Sequence, residues 1–575
     1  MNLLDEHWIP VRRASGERLW IAPHQITDGV EHDPIVALDA VRPDFNGALI
    51  QFLIGLVQTA WARAGKSFER ETMLWEPPSP ESLKEYFAPL KEAFELDGHG
   101  PRFMQDVSVA RDPDRIEKSI SSQLIDAPGE ETRRSNTDHF LKAGLTEQLC
   151  SDCAAAALLT IQTNSPKGGR GILVSLRGGG PLTTLIKFMP ADALPAALWR
   201  DIASNILPSH SFLPPESGTP DQAHQIFPWL GIPEKLAPTA TVQPLDVHPA
   251  QVFWGMPRRL WLDSTKTQIG GCECCGRADK TLLTTVYSRP DGLRYEGPWR
   301  HPLSPYYEKA RGQWLCVHPQ PGGLGYTYWL GAVLGGMVNR TRVIRARVVE
   351  AHLHSTTSRG TFALWAFGYD MSDAKARCWY EATYPLFDID QADRLAQEVV
   401  AQLVQWLIAG SSAGVDYLKN AVRDVLFDPA SQRAWGLDQR KKVNAHLRVV
   451  ENAFWSRTER AFFDHVEQAV RLARTDAATA LNASQNLRER WLQNLETAVR
   501  RLFDEFAASG DVESCHPERL GEAYRALMGQ LRGEKIHEAL GLLKLDRLAG
   551  ARRTGRSKGG SSRRKRGAPE GEVAP

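Results

Sequence analysis

Apolar positions recur along this chain in two rhythms, and the change between them falls close to Pro385. Before it, short apolar runs are cut by Gly and Pro. Examples are Trp8–Val11, Gly171–Leu176, Thr281–Tyr287 and Val343–Val349, all of which read as strand-like. A helical pattern intervenes at Asp44–Ala64, where Leu49, Phe52, Leu53, Leu56 and Val57 mark one apolar face. No strict βαβ alternation appears, so residues 1–385 predict a mixed α+β domain. After Pro385 the period becomes helical throughout. Leu395, Val399, Leu403, Leu407, Val415, Leu418, Val422 and Val425 form one stripe. Val443, Leu447, Val450, Phe454, Phe462, Val466 and Val470 form a second. Leu481 to Phe506 carries a third, and a fourth starts at Pro517, a residue suited to a first helical turn. Four long amphipathic helices with short connections predict an all-α four-helix bundle over residues 386–550. From 551 to 575 nothing can build a core. Arg552, Arg553, Arg556, Lys558, Arg563, Arg564, Lys565 and Arg566 stand among Gly and Ser, which predicts a disordered basic tail. Such a tail serves either as a non-specific phosphate-binding arm or as a solubilising extension.

Length and composition fit this division. A chain of 575 residues is too long for one ordinary core. Its 69 basic and 68 acidic residues leave a net charge of +1, so any nucleic-acid contact depends on basic residues gathered locally. The first residues, Met1–Trp8, carry acids where an export signal needs basic and apolar runs, which predicts a cytoplasmic protein. Leu324–Val338 is uncharged but glycine-rich and short of a membrane span, and reads as a buried helix or strand pair.

Eight cysteines occupy positions 150, 153, 272, 274, 275, 316, 378 and 515. Cys150-x-x-Cys153 and Cys272-x-x-Cys275 have the knuckle spacing of a zinc site. Two knuckles complete a closed four-sulfur shell with no position left for a catalytic water. The pattern predicts a structural zinc tying two distant segments together. The competing reading is redox-active or merely buried thiols. Cys274 reads as a bystander, and Cys316, Cys378 and Cys515 as small core residues.

Catalytic signatures are missing. Gly65-Lys66-Ser67 resembles the end of a phosphate-binding loop, but the position that needs its first glycine holds Ala60. No G-x-S-x-G or H-E-x-x-H occurs. Glu350, His352 and His354 alternate as on a strand and read as polar groups facing solvent, and Asp464-His465 as the polar side of a helix. No nucleophile–base pair emerges, so the sequence predicts a non-enzyme.

Several blocks together resemble the CasA family, the large subunit of type I-E CRISPR Cascade complexes. They are Asn2–Val11, Pro101-Arg-Phe-Met-Gln105, Leu176-Arg-Gly-Gly-Gly-Pro-Leu-Thr-Thr184 and Trp299-Arg-His-Pro-Leu-Ser-Pro305, with both cysteine pairs in the family's places. The resemblance spans about residues 1–550. It implies a subunit that joins a crRNA-guided complex, recognises the protospacer-adjacent motif (PAM) as duplex DNA, starts strand separation and docks the CRISPR helicase–nuclease. Pairing with the guide would carry the long readout and protein the short one.

Carried onto this chain, the resemblance assigns PAM contact to the glycine-rich loop Gly168, Gly169, Arg170 and Gly171, with Arg170 interrupting an otherwise side-chain-free stretch. Missing side chains would let backbone amides approach the minor groove. Arg289, ahead of the Pro290-Asp-Gly292 turn signal, falls where the family places a basic PAM contact. A strand-separating hairpin maps to Gly368–Lys375. There Met371, Ser372 and Asp373 stand at the tip, Met371 as an apolar wedge and Lys375 as a phosphate contact. The segment from Asp126 to Glu147, with Asn136, His139 and Phe140, is the family's loop toward the guide and neighbouring subunits. Two rival readings remain: a zinc-stabilised nuclease, and an assembly scaffold that never meets the PAM.

Overall fold

The computed structural model describes residues 1–63, 70–127, 134, 144, 146–169, 171–190, 196–212, 223–231, 241–338, 341–354, 361–372, 375–387, 393–427, 436–508 and 517–542. It divides into two compact units. The first comprises Met1–Ala401 and Glu459–Ala478, the second Gln402–Thr458 and Thr479–Pro575.

The first unit is built around helix α1 (Pro43–Arg63), which starts on a proline whose missing N–H costs nothing in a first turn. The expectation of a single apolar face understates its burial. Nearly every side chain from Asp44 to Trp61 is covered, the mark of a helix through the centre of a core. It is the one described helix long and apolar enough to cross a membrane, and 89% of its most apolar stretch is buried in the protein. Its polar residues are satisfied internally. The Gln58 amide exchanges hydrogen bonds with the backbone of Leu207 at 3.1 and 2.7 Å, and the Trp254 indole donates to Thr59 at 2.9 Å. Phe52 contacts Trp8, Phe94, Phe103 and Trp254 edge-on at 5.3 to 6.0 Å between ring centres, the geometry aromatic quadrupoles favour. A second buried helix, α2 (Ser151–Asn164), packs beside α1 through a run of alanines small enough to let the two approach.

Small sheets, antiparallel but for one two-stranded pair, accompany this core. Strands β1 (Ile9–Arg13), β2 (Arg18–Ile21) and β3 (Ile35–Leu38) run in the order β2-β1-β3. Strands β5 (Leu149–Cys150), β9 (Thr267–Gly270) and β10 (Lys280–Leu283) form β5-β10-β9. Strands β4 (Ile116–Ser119), β8 (Arg259–Leu262) and β11 (Thr285–Arg289) form β4-β11-β8. The stretch read as one strand at Thr281–Tyr287 is therefore two, split at Thr284 between two sheets. Strands β7 (Thr241–Val242) and β12 (Arg294–Tyr295) pair in parallel. Strands β13 (Tyr306–Ala310), β14 (Gln313–Cys316), β15 (Gly336–Val338) and β16 (Thr341–Ile344) follow the order β14-β13-β16-β15. The longest ribbon, β17 (Thr361–Ser372) with β18 (Lys375–Pro385), takes β6 (Thr183–Met189) on its other edge.

Five local expectations are corrected. Gly171–Leu176 joins no strand: Ile172 N closes a turn on Gly169 O at 3.0 Å, and Ser175 N reaches back to Ser165 O, at the end of α2, at 3.1 Å. Val343–Val349 is a strand only to Ile344 and then enters a short helix, Arg347–Leu353. His352 therefore lies on that helix, buried against Arg70, instead of facing solvent. His465 is likewise buried, and Cys378 is exposed where a core thiol was expected.

The C-terminal region is helical as its periodicity predicts: α3 (Arg394–Leu426), α4 (Leu437–Thr475), α5 (Gln485–Phe503) and α6 (Pro517–Leu531), with a short helix Ala477–Ala483 before α5. Within the second unit the Trp491 indole donates to Leu407 O at 3.0 Å, and Gly414 lies against Phe454 and Val499. Lys419 pairs with Glu451 at 3.1 Å.

Candidate metal centre and nucleic-acid interface

The two cysteine pairs, far apart in sequence, meet because β5 pairs with β10, placing Cys150 opposite Leu282. Cys150 ends β5 and caps helix α2. Cys153 stands in that helix's first turn. Cys272 and Cys275 lie in the turn from β9 to β10, which closes with Gly276 N donating to Cys272 O at 2.8 Å. Gly276 adopts φ +74°, a conformation suited to glycine.

All four sulfurs lie within 4.8 Å of one another, and Cys150 and Cys275 are 3.8 Å apart. A tetrahedral ion at about 2.3 Å from each sulfur requires sulfurs about 3.8 Å apart, so the donor set fits a four-coordinate metal. The Cys150 amide donates to the Cys272 sulfur at 3.2 Å. Hydrogen bonding from the Cys150 and Cys153 thiols pulls the Cys272 thiol down in pKa. Hydrogen bonds from the same two thiols bring Cys275 to about 7. Outside the sulfurs, Arg277 binds Asp152 on α2 and stacks over Trp20 at 4.3 Å. Four sulfurs would leave a bound ion no open coordination position, which suits bracing over catalysis.

Helix α2 is a 14-residue strut of about 21 Å between this centre and the glycine-rich loop. Its far end is fixed: Gln162 bonds both the N–H and the C=O of Arg258, at 3.1 and 2.9 Å. The Arg258 guanidinium then donates to Pro166 O at 2.6 Å, and Gly180 N to Asn164 O at 2.8 Å. Beyond Pro166 the chain makes a tight turn, with Gly168 N donating to Ile172 O at 3.1 Å. Gly169 is exposed, and a Cβ there would meet nothing within 4 Å. A Cβ on Gly168 would strike the Ile172 side chain at 2.6 Å. Gly171 has φ +74°, accepts from Asp291 N at 2.8 Å, and would place a Cβ 2.5 Å from Pro290. Gly171→Ala should therefore cost about 1–3 kcal/mol of stability, read as a lowered thermal midpoint. An unchanged midpoint would mean that this turn is not held as described.

The second glycine cluster locks these parts together. Gly179 lies against Pro166, and Gly180, at φ +63°, against Tyr369 and Met371. Between them and α1, the buried Arg177 guanidinium donates to Ser304 at 2.9 Å, Thr183 at 3.1 Å and Gln51. This fastening role explains an arginine in the Leu176–Thr184 block better than contact with a ligand does. The β17–β18 hairpin runs past β6, whose last pairing is Thr183 with Phe367, so Gly368–Ser372 pair only with β18. Asp370 is buried and paired with Arg377, and the Tyr369 hydroxyl donates to Asp44 at 2.8 Å. Met371 and Ser372 are half-buried near the tip, and Lys375 is exposed opposite Ser372.

Arg289 occupies the end of β11 beside the Pro290 turn, but its guanidinium is engaged by Asp112 at 2.8 Å and by Asp114 O at 2.8 Å. The structure brings Gly171 against Pro290 and Asp291, and Met371 against Gly180, while Ser372 and Lys375 stand further along the hairpin. Arg170, Asp373, Asn136, His139 and Phe140 lie outside the described residues, as do Cys515 and the basic tail. At the flanks of the guide-facing segment, Asp126 pairs with Arg42 at 2.8 Å, and Gln148 N donates to Glu273 at 3.1 Å. Sequence reasoning missed Arg258, because no motif surrounds it and its importance comes from touching Gln162 and Pro166.

Comparison with known proteins gives consistent findings. The family described as CRISPR-associated protein Cse1 matches residues 2–502. The crystal structure of CasA from Thermus thermophilus superposes with a TM-score of 0.63 at 15% identity, covering 92% of this chain and 99% of that one. Cse1 from Acidimicrobium ferrooxidans gives 0.60 at 17% identity, covering 94% and 98%. A chain of a structure described as a CRISPR RNA-guided surveillance complex gives 0.61 at 14%, covering 93% and 99%.

Proposed function

The chain belongs to the CRISPR-associated Cse1 family, also called CasA, and from that membership we propose that it is the non-catalytic large subunit of a cytoplasmic, crRNA-guided type I-E Cascade complex. Its partners are the other Cascade subunits with their crRNA, PAM-bearing duplex DNA and the CRISPR helicase–nuclease. One observation carries the reading: Gly169 is exposed with nothing within 4 Å of a Cβ placed there, in a turn anchored where Gly171 meets Pro290 and Asp291. The open edge lets backbone amides meet the minor groove, where a side chain would stand off the bases. The hairpin follows at the point where strands must part. Met371 serves as the apolar wedge, and the exposed Lys375 holds a phosphate. Because Asp112 and Asp114 engage Arg289, it orients the Pro290 turn and adds less charge to DNA than an unpaired arginine would.

The cysteine centre holds a structural zinc through Cys150, Cys153, Cys272 and Cys275. When bound, the ion supplies cross-linking and no chemistry. Helix α2 transmits that rigidity to the turn, and Arg258 and Gln162 fix its far end. Zinc therefore matters to recognition through position.

A test on the assembled complex separates motif recognition from strand opening. Replacing Met371 and Lys375 together by alanine should slow opening of the target duplex about tenfold, a barrier change of about 1.4 kcal/mol. Preference among PAM variants should remain. Opening followed by reactivity of unpaired thymines distinguishes the two steps. Equal opening rates in both complexes would remove the hairpin from the mechanism.

A further inference from the structure

Far from the cysteine centre in sequence, the four-stranded sheet β14-β13-β16-β15 carries an arrangement that the reading above does not use. Trp314 on β14 sits opposite Glu308 on β13. One step beyond the Tyr307–Val343 pair, Glu308 faces Arg342 on β16, which in turn is opposite Met337 on β15. Alternation places this row, Trp314-Glu308-Arg342-Met337, on one face of the sheet. Arg342 lies over the indole of Trp314 at 5.6 Å, and Arg300, from the preceding loop, at 4.8 Å.

Both arginines are exposed, and among the described residues neither guanidinium has a hydrogen bond or ion pair to the protein. The one acid in the row, Glu308, accepts from Gly312 N at 2.9 Å and so closes its own hairpin. An exposed arginine normally wanders among many rotamers, and fixing it is costly. Here the indole holds two guanidiniums by cation–π attraction, worth about 0.5–1 kcal/mol each at an exposed site, and leaves their N–H forks unspent. Lys309 and Arg311, exposed on the adjoining hairpin, add positive charge.

We propose that Arg300 and Arg342, pinned by Trp314, form a binding site for the phosphodiester backbone of nucleic acid. Guanidinium forks match phosphate oxygens bidentately; among the described residues no carboxylate is paired with either, and the neighbouring Glu308 is engaged by Gly312 N. By the two distances the guanidinium carbons are at most about 10 Å apart, a reach covered by about three nucleotides of one strand at about 3.4 Å rise each. The site reads charge and spacing, so it adds affinity without sequence preference. It stands independently of the glycine turn.

The test uses the assembled complex and a PAM-bearing duplex, with affinity measured from about 50 to about 200 mM salt. Two lost phosphate contacts should reduce the log–log salt slope of the R300Q/R342Q variant by about 1.8, since each contact contributes about 0.9. The affinity lost over that salt range should shrink about twelvefold, while R300K/R342K keeps the slope and the ratio between PAM variants stays at the wild-type value. A parallel arm measures how the chain joins a crRNA-bearing complex that lacks it. A slope change there, and not with duplex, assigns the phosphates to the guide. Unchanged slopes in both arms overturn the proposal, as does weakened joining without a salt signature, which would indicate a protein partner. Neither result touches PAM discrimination, whose collapse or survival judges the reading of the turn separately.

Discussion

Gly169→Trp should lower target binding by the assembled complex about a hundredfold on a PAM-bearing duplex and leave the chain's own stability within about 0.5 kcal/mol. The two halves of this expectation have separate causes. A Cβ at Gly169 meets nothing within 4 Å, so the fold has room for the indole. The same open space is what a groove edge must occupy, and a hundredfold loss corresponds to about 2.7 kcal/mol, within the range of one or two misread base pairs. Gly168 is the wrong place for this experiment, since a side chain there would press on Ile172 and confuse misfolding with lost contact. Affinity by fluorescence anisotropy and melting by scanning calorimetry on one preparation give both numbers. Wild-type affinity in the tryptophan variant would mean that DNA does not approach this edge.

Cys153→Ser should abolish stoichiometric zinc and lower the thermal midpoint by about 5 °C. A structural zinc contributes folding energy directly, because no preformed site exists in the unfolded chain. Losing a ligand forfeits several kcal/mol of that, and a unit as large as this one loses about 1 °C per kcal/mol. The effect should spread along α2, because Cys153 is in its first turn and Gln162 near its last. Discrimination among PAM variants should then fall with metal content. Elemental analysis and melting of the purified chain decide the first part. A wild-type chain that is folded and free of zinc would show the four sulfurs to be ordinary buried thiols.

Much of this was legible in the residues. The C-terminal helices are visible because stripes such as Leu403, Leu407 and Leu418 stay in phase for several turns, and no other element holds a 3.6-residue period that long. The cysteine centre is visible because thiols are few and knuckle spacing is short. Helix α1 was underestimated because periodicity reports one face, whereas burial of Gln58 and Thr59 depends on Leu207 and Trp254, about 150 and 195 residues away. Gly171–Leu176 misled because its apolar residues imitate a strand while Ile172 N closes a turn and Ser175 N reaches back to Ser165. His352 could not be placed from spacing, since a helix beginning at Arg347 and a contact with Arg70 decide its surroundings. Arg258 and Trp314 were invisible for the same reason: their importance lies in partners far along the chain.

In the proposed reading, recognition of a short DNA motif rests on the backbone at Gly168, Gly169 and Gly171. The most direct measurement is target affinity across a panel of PAM sequences, for complexes reconstituted with and without this polypeptide. The expected result is a spread of affinities with the chain present that flattens to a single weak value in its absence. An undiminished spread without it would contradict that role.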